Sequence, residues 1–451
     1  MTKDEPISVQ PDTAVGLVAF LAPFKNRNFS LLWIGEAISL IGDQFYFIAL
    51  PWLVLQITDN GFAVGAVLAI TGVPRAVFML VGGALSDRFS PRQLMFYSNI
   101  VRMVMVTVLA GLVLADNISL PMLYIFAFLF GVADAFFYPA QQAIVPQLIE
   151  DNLLAPANSL IAGTGQLSLF AGPALAGILI AAFSSGSPVN PQLPDFISDL
   201  PGIGLAFVID AFTFMASAAT LALIAIPPAD DVSTDEDVIR SIWGSLVTVW
   251  EDPLLRIFYL LVTSIAFLVI GPIQVGIPVL ANTRFVEGAA AFGIIMSANG
   301  GGALLGAILA GILPSPSPRR LGHVMLVGAS LMGIGLMLMG LAPSMKAAAV
   351  LNGLMGLSYG YVSILGITWL QRRTPQKMLG RMMGLLVLAT VGLFPISTSL
   401  SGLLIEVDPV IMFLIAGFLI TASTLVFIFH PLVPEMGLSV ANGEKAQSSG
   451  S

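Results

Sequence analysis

Gly83-Ala84-Leu85-Ser86-Asp87-Arg88-Phe89-Ser90-Pro91-Arg92 separates two long apolar runs, residues 62–85 and 94–114. Each run has the roughly 20 mostly apolar residues that a helix needs to cross a hydrocarbon core of about 30 Å. Between them the chain gathers Asp87, Arg88 and Arg92 into one short segment. Charge of that density stays in water, so the decapeptide reads as a tight polar loop joining two membrane helices. The same alternation continues in both directions. Apolar runs at 30–55, 62–85, 94–114, 120–140, 160–183 and 202–226 precede an acidic stretch from Asp230 to Asp237. Runs at 257–280, 289–313, 321–341, 347–370, 382–405 and 411–429 follow it. The pattern predicts an all-α integral membrane protein of twelve transmembrane helices in two pseudo-symmetric six-helix halves.

Composition agrees with lipid as the solvent. Of 451 residues 57% are apolar and 10% charged, against about 25% charged in a soluble domain. The chain has no Cys, which excludes disulfides, thiolate metal sites and cysteine nucleophiles. Its two histidines, His323 and His430, stand at the ends of apolar runs, so neither a metal site nor a cofactor is expected. A net charge of −8 argues against a nucleic-acid partner.

Lys and Arg set the direction. If both termini lie on one side, fourteen of the 18 basic residues share that side. Only Arg284 and Lys346 face the other, while Arg75 and Arg102 fall within spans. The positive-inside bias therefore predicts cytoplasmic termini. The expected division is a cytoplasmic segment 1–29 with a short interfacial helix at 14–23, a half at 30–226, a linker at 227–256, a half at 257–430 and a cytoplasmic tail at 431–451. Within the linker, Ser233 and Glu236 have capping-box spacing. Ile239, Ile242, Trp243, Leu246, Val249 and Trp250 then recur at helical intervals, which predicts an amphipathic helix on the inner membrane face. Residues 184–201, rich in Ser and Pro, read as an external loop.

An internal echo supports duplication. Ser90-Pro91-Arg92-Gln93-Leu94 recurs as Ser317-Pro318-Arg319-Arg320-Leu321, 227 residues later, and Pro146-Gln147 as Pro375-Gln376, 229 residues later. Both echoes fall in equivalent loops of two six-span units.

With the duplicated plan in view, residues 83–92 resemble the loop motif between spans 2 and 3 of the major facilitator superfamily, with Ser90 and Pro91 departing from the usual glycine and base. Phe137-Tyr138-Pro139-Ala140, and Gln371-Arg372-Arg373-Thr374-Pro375 leading to Gly380-Arg381, resemble its drug:proton antiporter and siderophore exporter branch. Gly172-Pro173 and Gly177 match the core of that branch's span-5 antiporter motif, with Ser159, Ser168 and Ala176 as small replacements for glycine. The resemblance implies close helix packing at Gly172, Pro173 and Gly177, and a bacterial inner membrane as the location. The branch's span-4 arginine is absent, which shifts attention to acids elsewhere. Physically, Asp87 at a cytoplasmic helix end can face the positive N-terminus of the helix starting near Gly380. Gly83, Asp87, Arg88, Arg92, Gly380 and Arg381 are thus the expected latch between conformations, with ordinary topology-setting charge as the plainer reading.

Ionisable groups at membrane depth are costly and mark function by default. Six are found, Glu36, Asp43, Arg75, Arg102, Asp134 and Asp210, all in the N-terminal half. Counting about 1.5 Å per residue brings Asp43 level with Arg75, and Arg102 level with Asp134, so two ion pairs are expected, either of which can be structural. Two carboxylates then stay unpaired, and an unpaired carboxyl group in low dielectric can carry a proton near neutral pH. Asp43 is the first choice for coupling, with Glu36 seven residues earlier on the same face. Asp210 reads equally as a polar packing anchor. Candidate cavity residues are Gln44, Gln166, Gln274, Asn299, Tyr359 and Tyr361. The Asn299-Gly300-Gly301-Gly302 stretch reads first as close packing, and Met325, Met332, Met337 and Met339 as lipid-facing filler before an adaptable wall.

The expected function is secondary active transport, namely proton-coupled efflux of small amphipathic organic compounds by alternating access in a monomer. The partners are the substrate, protons and the bilayer. No phosphate-binding loop offers ATP as the energy source. The alternatives are a dedicated exporter of a siderophore, metabolite or lysolipid, and a non-transporting receptor or assembly protein. An intramembrane enzyme is disfavoured by the missing Cys, the peripheral histidines and the lack of a Ser-Lys or paired-Asp arrangement.

Overall fold

The computed structural model describes residues 20–86, 90–184, 199–225 and 238–437. Most of the interfacial segment at 14–23, the Ser233 and Glu236 cap, the loop residues Asp87 and Arg88, and most of the external loop lie outside the described residues.

Twelve spans are long and apolar enough to cross a membrane. They are α1 (Arg27–Thr58), α2 (Gly61–Ser86), α3 (Pro91–Leu114), α4 (Leu120–Leu148), α5 (Asp151–Ala182), α6 (Leu200–Leu223), α7 (Pro253–Arg284), α8 (Ala289–Ile312), α9 (Leu321–Gly340), α10 (Met345–Arg373), α11 (Met378–Val407) and α12 (Pro409–Ile428). Asn26 caps α1 by accepting from the backbone N–H of Asn28 at 2.9 Å and Phe29 at 3.2 Å. Asp252 caps α7 through Leu254 and Leu255 and also holds Arg373 of α10 at 2.5 Å. Asp408 caps α12.

The helix boundaries differ most from the sequence reading at α4 and α5. The apolar runs end at residue 140 and resume at residue 160, whereas the helices cover Leu120–Leu148 and Asp151–Ala182. Pro146 and Pro156 fall between the two apolar runs, yet each lies inside a helix. A proline removes one backbone bond and kinks the helix without ending it when neighbours hold the rest. The linker helix runs Val238–Glu251, close to expectation, and leads directly through Asp252 into α7, four residues before the sequence reading starts that span. Trp250 on it is exposed and lies under Arg256, 5.6 Å from the guanidinium carbon. Beyond α12 the chain folds back: Val433 and Met436 are buried, and Trp369 Nε1 donates to the Met436 carbonyl at 2.7 Å.

Helix neighbours repeat with a two-fold pattern. α2 packs along α4 as α8 does along α10, and α3 along α6 as α9 does along α12. Between the halves, α5 meets α8 and α2 meets α11, which is again one pairing seen twice. At the first seam Gly177 and Gly293 bring their Cα atoms so close that neither has room for a Cβ. Gly302 and Gly306 sit directly on the backbone of α10, as the packing reading of that stretch requires. The methionines of α9 correct a sequence expectation. Met325, Met332 and Met339 are buried in protein rather than facing lipid, because α9 turns that face towards α12 and α10.

α7 is not a uniform helix. A π-helical turn, Ala266–Ile270, separates Pro253–Ile265 from Gly271–Arg284. Ser397 of α11 fills the resulting gap: its hydroxyl donates to the Phe267 carbonyl at 2.5 Å and accepts from the Gly271 N–H at 3.1 Å. That carbonyl and that N–H would pair with each other in an ordinary α-helix. Gly271 is needed here because a Cβ would collide with the Ser397 side chain and backbone.

Candidate functional site

The buried charges of the N-terminal half converge; of the two pairs expected, Arg102 with Asp134 forms and Arg75 with Asp43 does not. α2 lies along α4, which brings Arg75 to Asp134. Arg102 of α3 reaches the other oxygen of the same carboxylate at 2.8 Å. The expected partner of Arg75 was Asp43; depth along a span is readable from rise per residue, but the facing of α2 towards α4 is not. Both guanidiniums therefore share Asp134. Three carboxylates, Glu36, Asp43 and Asp210, are left without an arginine at ion-pair distance among the described residues, rather than two.

Each of the three has a different setting. Glu36 is buried on α1 and accepts from Gln141 Nε2 of α4, while its Oε1 has no partner. Asp210 is fully buried on α6, where Thr213 offers a 3.4 Å contact to Oδ1 and Oδ2 has no partner. Asp43 is only half-buried and makes no hydrogen bond or ion pair with any described residue. Its charged neighbours are Arg102, Asp134 and Arg75. A carboxyl group so placed can exchange protons with water or meet a cationic solute.

Aromatic rings enclose the two arginines. Arg102 lies 4.1 Å from the ring centre of Phe137, 5.4 Å from Phe214 and 5.8 Å from Phe130. Arg75 lies over Tyr138 at 5.2 Å. Contacts of this kind hold a desolvated guanidinium in place. Tyr46 stacks on Phe130 at 4.0 Å, and its hydroxyl is buried without a partner. Arg102 keeps 2% of its side chain exposed and Arg75 20%, so only Arg75 is open to a solute.

Gln141, Tyr138 and Tyr46 were not singled out from the sequence, although a signal exists. Asp134, Tyr138 and Gln141 follow at intervals of four and three, one face of α4. Asp43 and Tyr46 are three apart on α1.

The remaining candidates spread out. Gln44 is buried against Gly172, inside the α1 and α5 contact rather than in a cavity. Gln166 is half-buried with Oε1 unpartnered, and Gln274 is half-buried on α7. Asn299 donates to Asn352 Oδ1 at 3.1 Å, and Asn352 donates to the Ile295 carbonyl at 2.9 Å, a clamp between α8 and α10. Tyr361 packs into the apolar core, whereas Tyr359 lines a cavity of about 310 Å³ in the C-terminal half. Arg92 donates to the carbonyls of Leu221 at 2.7 Å and Ala222 at 2.9 Å. It thus secures the end of α6 within its own half instead of bridging the halves. Gly83 lies in the last turn of α2, Gly380 stands in open space and Arg381 is exposed.

Where the halves touch is informative. Among the described residues, four hydrogen bonds with a side chain join them: Gln56 with Asn282, Asp59 with Asn282, the Phe62 N–H with Glu406, and the Ala174 N–H with Ser297. All four lie in the half of the molecule distant from the chain ends. Among the described residues, the side-chain hydrogen bonds between the halves thus gather at one end.

Comparison with known proteins agrees with this architecture. The Major Facilitator Superfamily model matches residues 32–399. Macrolide efflux protein A of Streptococcus pyogenes is 24% identical over 364 residues, covering 79% of this chain and 84% of that protein. The enterobactin exporter EntS of Citrobacter koseri is 29% identical over 374 residues, covering 81% and 80%. A solved bacterial homologue of the iron transporter ferroportin, in an inward-facing state, superposes with a TM-score of 0.65 at 18% identity, covering 90% of this chain and 99% of that one. The chain belongs to the Major Facilitator Superfamily, a multi-pass membrane transporter and not an enzyme.

Proposed function

We propose that the protein is a proton-coupled exporter of small amphipathic organic compounds, working as a monomer in a bacterial inner membrane with both termini cytoplasmic. The observation that carries the proposal is Asp43: a half-buried carboxylate in a span, without a hydrogen-bond or ion-pair partner among the described residues, beside two arginines already committed to Asp134. A group in that position gains or loses a proton with little structural cost elsewhere. Glu36 and Asp210 stand behind it as further acids of the same half.

The efflux of macrolides and of enterobactin by the relatives supports the export direction and the organic substrate class. The similarity to the enterobactin exporter also favours a second reading, a dedicated siderophore exporter, in which Arg75 would meet an anionic substrate. We read the conformation as inward-facing, because the hydrogen bonds of Asn282 and Glu406 between the halves gather at the end away from the basic loops. The division into halves at 30–226 and 257–430, joined by the linker helix, gives the two bodies that rock.

The test measures protons released from purified protein in weakly buffered solution when a macrolide, a lipophilic cation or a siderophore is added. Release is expected from the native chain and not from Asp43→Asn. Unchanged release from Asp43→Asn would remove Asp43 from the coupling role, and the class of molecule that elicits release separates the two substrate readings.

A further inference from the structure

The C-terminal half contains a cavity that no charge reaches. Its volume of about 310 Å³ lies at the lower end for organic ligand sites, so it suits one part of a larger molecule. α7, α9, α10 and α11 wall it with Phe258, Met325, Tyr359 and Met383 among others. Phe258 and Met325 are buried at the back, and Tyr359 is 43% exposed at the mouth. Of its hydroxyls, Ser363 and Thr390 already donate to carbonyls of their own helices. Apart from the Tyr359 hydroxyl at the mouth, the wall therefore offers rings and thioethers and no spare polar side chain. Methionine sulfur and aromatic edges make favourable contacts with a bound ring, and the unbranched Met side chains adapt to its shape.

A second observation points to the same place. Ile265, Ala266 and Ile270 line the cavity, and they belong to or adjoin the π-helical turn of α7. Single π-turns inside α-helices are frequent at functional sites. Here the turn widens the helix beside the cavity and is held open by the Ser397 hydroxyl from α11.

We infer that this cavity binds the uncharged aromatic ring portion of an amphipathic cation, a subsite separate from the carboxylates of the N-terminal half. The four carboxylates there against two arginines supply the complementary charge. The inference rests on the proposed transport of amphipathic compounds.

The absence of Cys in the chain makes the test direct. Ser363→Cys, Thr390→Cys and, as a loop control, Val286→Cys are made singly in the full chain, and alkylation by N-ethylmaleimide is timed. Tetraphenylphosphonium at ten times its dissociation constant is expected to slow labelling about tenfold at positions 363 and 390 by occupancy, and not at 286. Tetraethylammonium, of equal charge but without rings, is expected to leave all three rates unchanged. In vesicles, Val387→Trp at the cavity mouth is expected to raise KM for tetraphenylphosphonium about tenfold. Transport of tetraphenylphosphonium without protection, and with KM unaltered in Val387→Trp, overturns the site and leaves the transport reading standing. Protection without transport leaves the site and overturns that reading for this class. Neither protection nor transport overturns both, as does equal protection by tetraethylammonium for the ring assignment.

Discussion

Asp134 bonds two arginines carried by two different helices, and this one carboxylate organises the charged interior. Removing its charge leaves Arg75 and Arg102 uncompensated inside the protein. Breaking a buried pair in this way costs about 3–5 kcal/mol, so Asp134→Asn is expected to unfold at a clearly lower temperature than the native chain in the same detergent. An unchanged midpoint would show that the arginines find other partners. Arg102→Lys is a subtler change. It keeps the charge but loses the flat guanidinium lying against Phe137, Phe214 and Phe130. It is expected to cost about 1–2 kcal/mol by the same thermal assay, the scale of a desolvated cation–π contact. The six charges were legible in the sequence because lipid tolerates so few. Of their pairing, Arg102 with Asp134 was legible from depth, whereas the partner of Arg75 was not, since Arg75 can face either α1 or α4 at the same depth. Gln141 was missed because a glutamine in an apolar run attracts no notice until it meets Glu36.

At the scale of the element, α7 is held in two pieces by a hydroxyl from α11. Ser397→Ala leaves the Phe267 carbonyl and the Gly271 N–H without their shared partner. An unmade buried hydrogen bond costs about 1–3 kcal/mol, so the variant is expected to lose thermal stability by that amount or to revert α7 to a regular helix. Faster hydrogen exchange around Gly271 reports the first outcome and slower exchange the second; exchange identical to the native chain would deny Ser397 its role. The sequence shows Ser397 as one of several small residues in α11, and nothing in its spacing announces a π-turn in α7. Helix number and most boundaries followed from apolar periodicity. The ends of α4 and α5 did not, because Pro146 and Pro156 signal a stop that packing overrides.

For the whole molecule, the two halves lean on each other through Gly177 and Gly293, at the end where their side-chain hydrogen bonds gather. Gly293→Leu is expected to wedge α5 from α8 and open that end. Spin labels on Asp116→Cys and Val286→Cys, both in turns at that end, are expected to move apart in this variant, and an unchanged distance distribution would contradict the packing role of the glycine pair. The two-fold plan was visible in the echo of Ser90-Pro91-Arg92 at Ser317-Pro318-Arg319, because duplicated halves keep their loop chemistry where lipid and charge constrain it. Which face each helix presents, and so where the C-terminal cavity lies, needed tertiary packing. Net coupling of the halves to protons is decided by transport. In everted membrane vesicles, an acidic lumen is expected to drive accumulation of a transported lipophilic cation by the native protein. Asp43→Asn is expected to abolish that gradient-driven accumulation while still exchanging the cation down its own gradient. Accumulation by Asp43→Asn at the native rate would contradict proton coupling through Asp43.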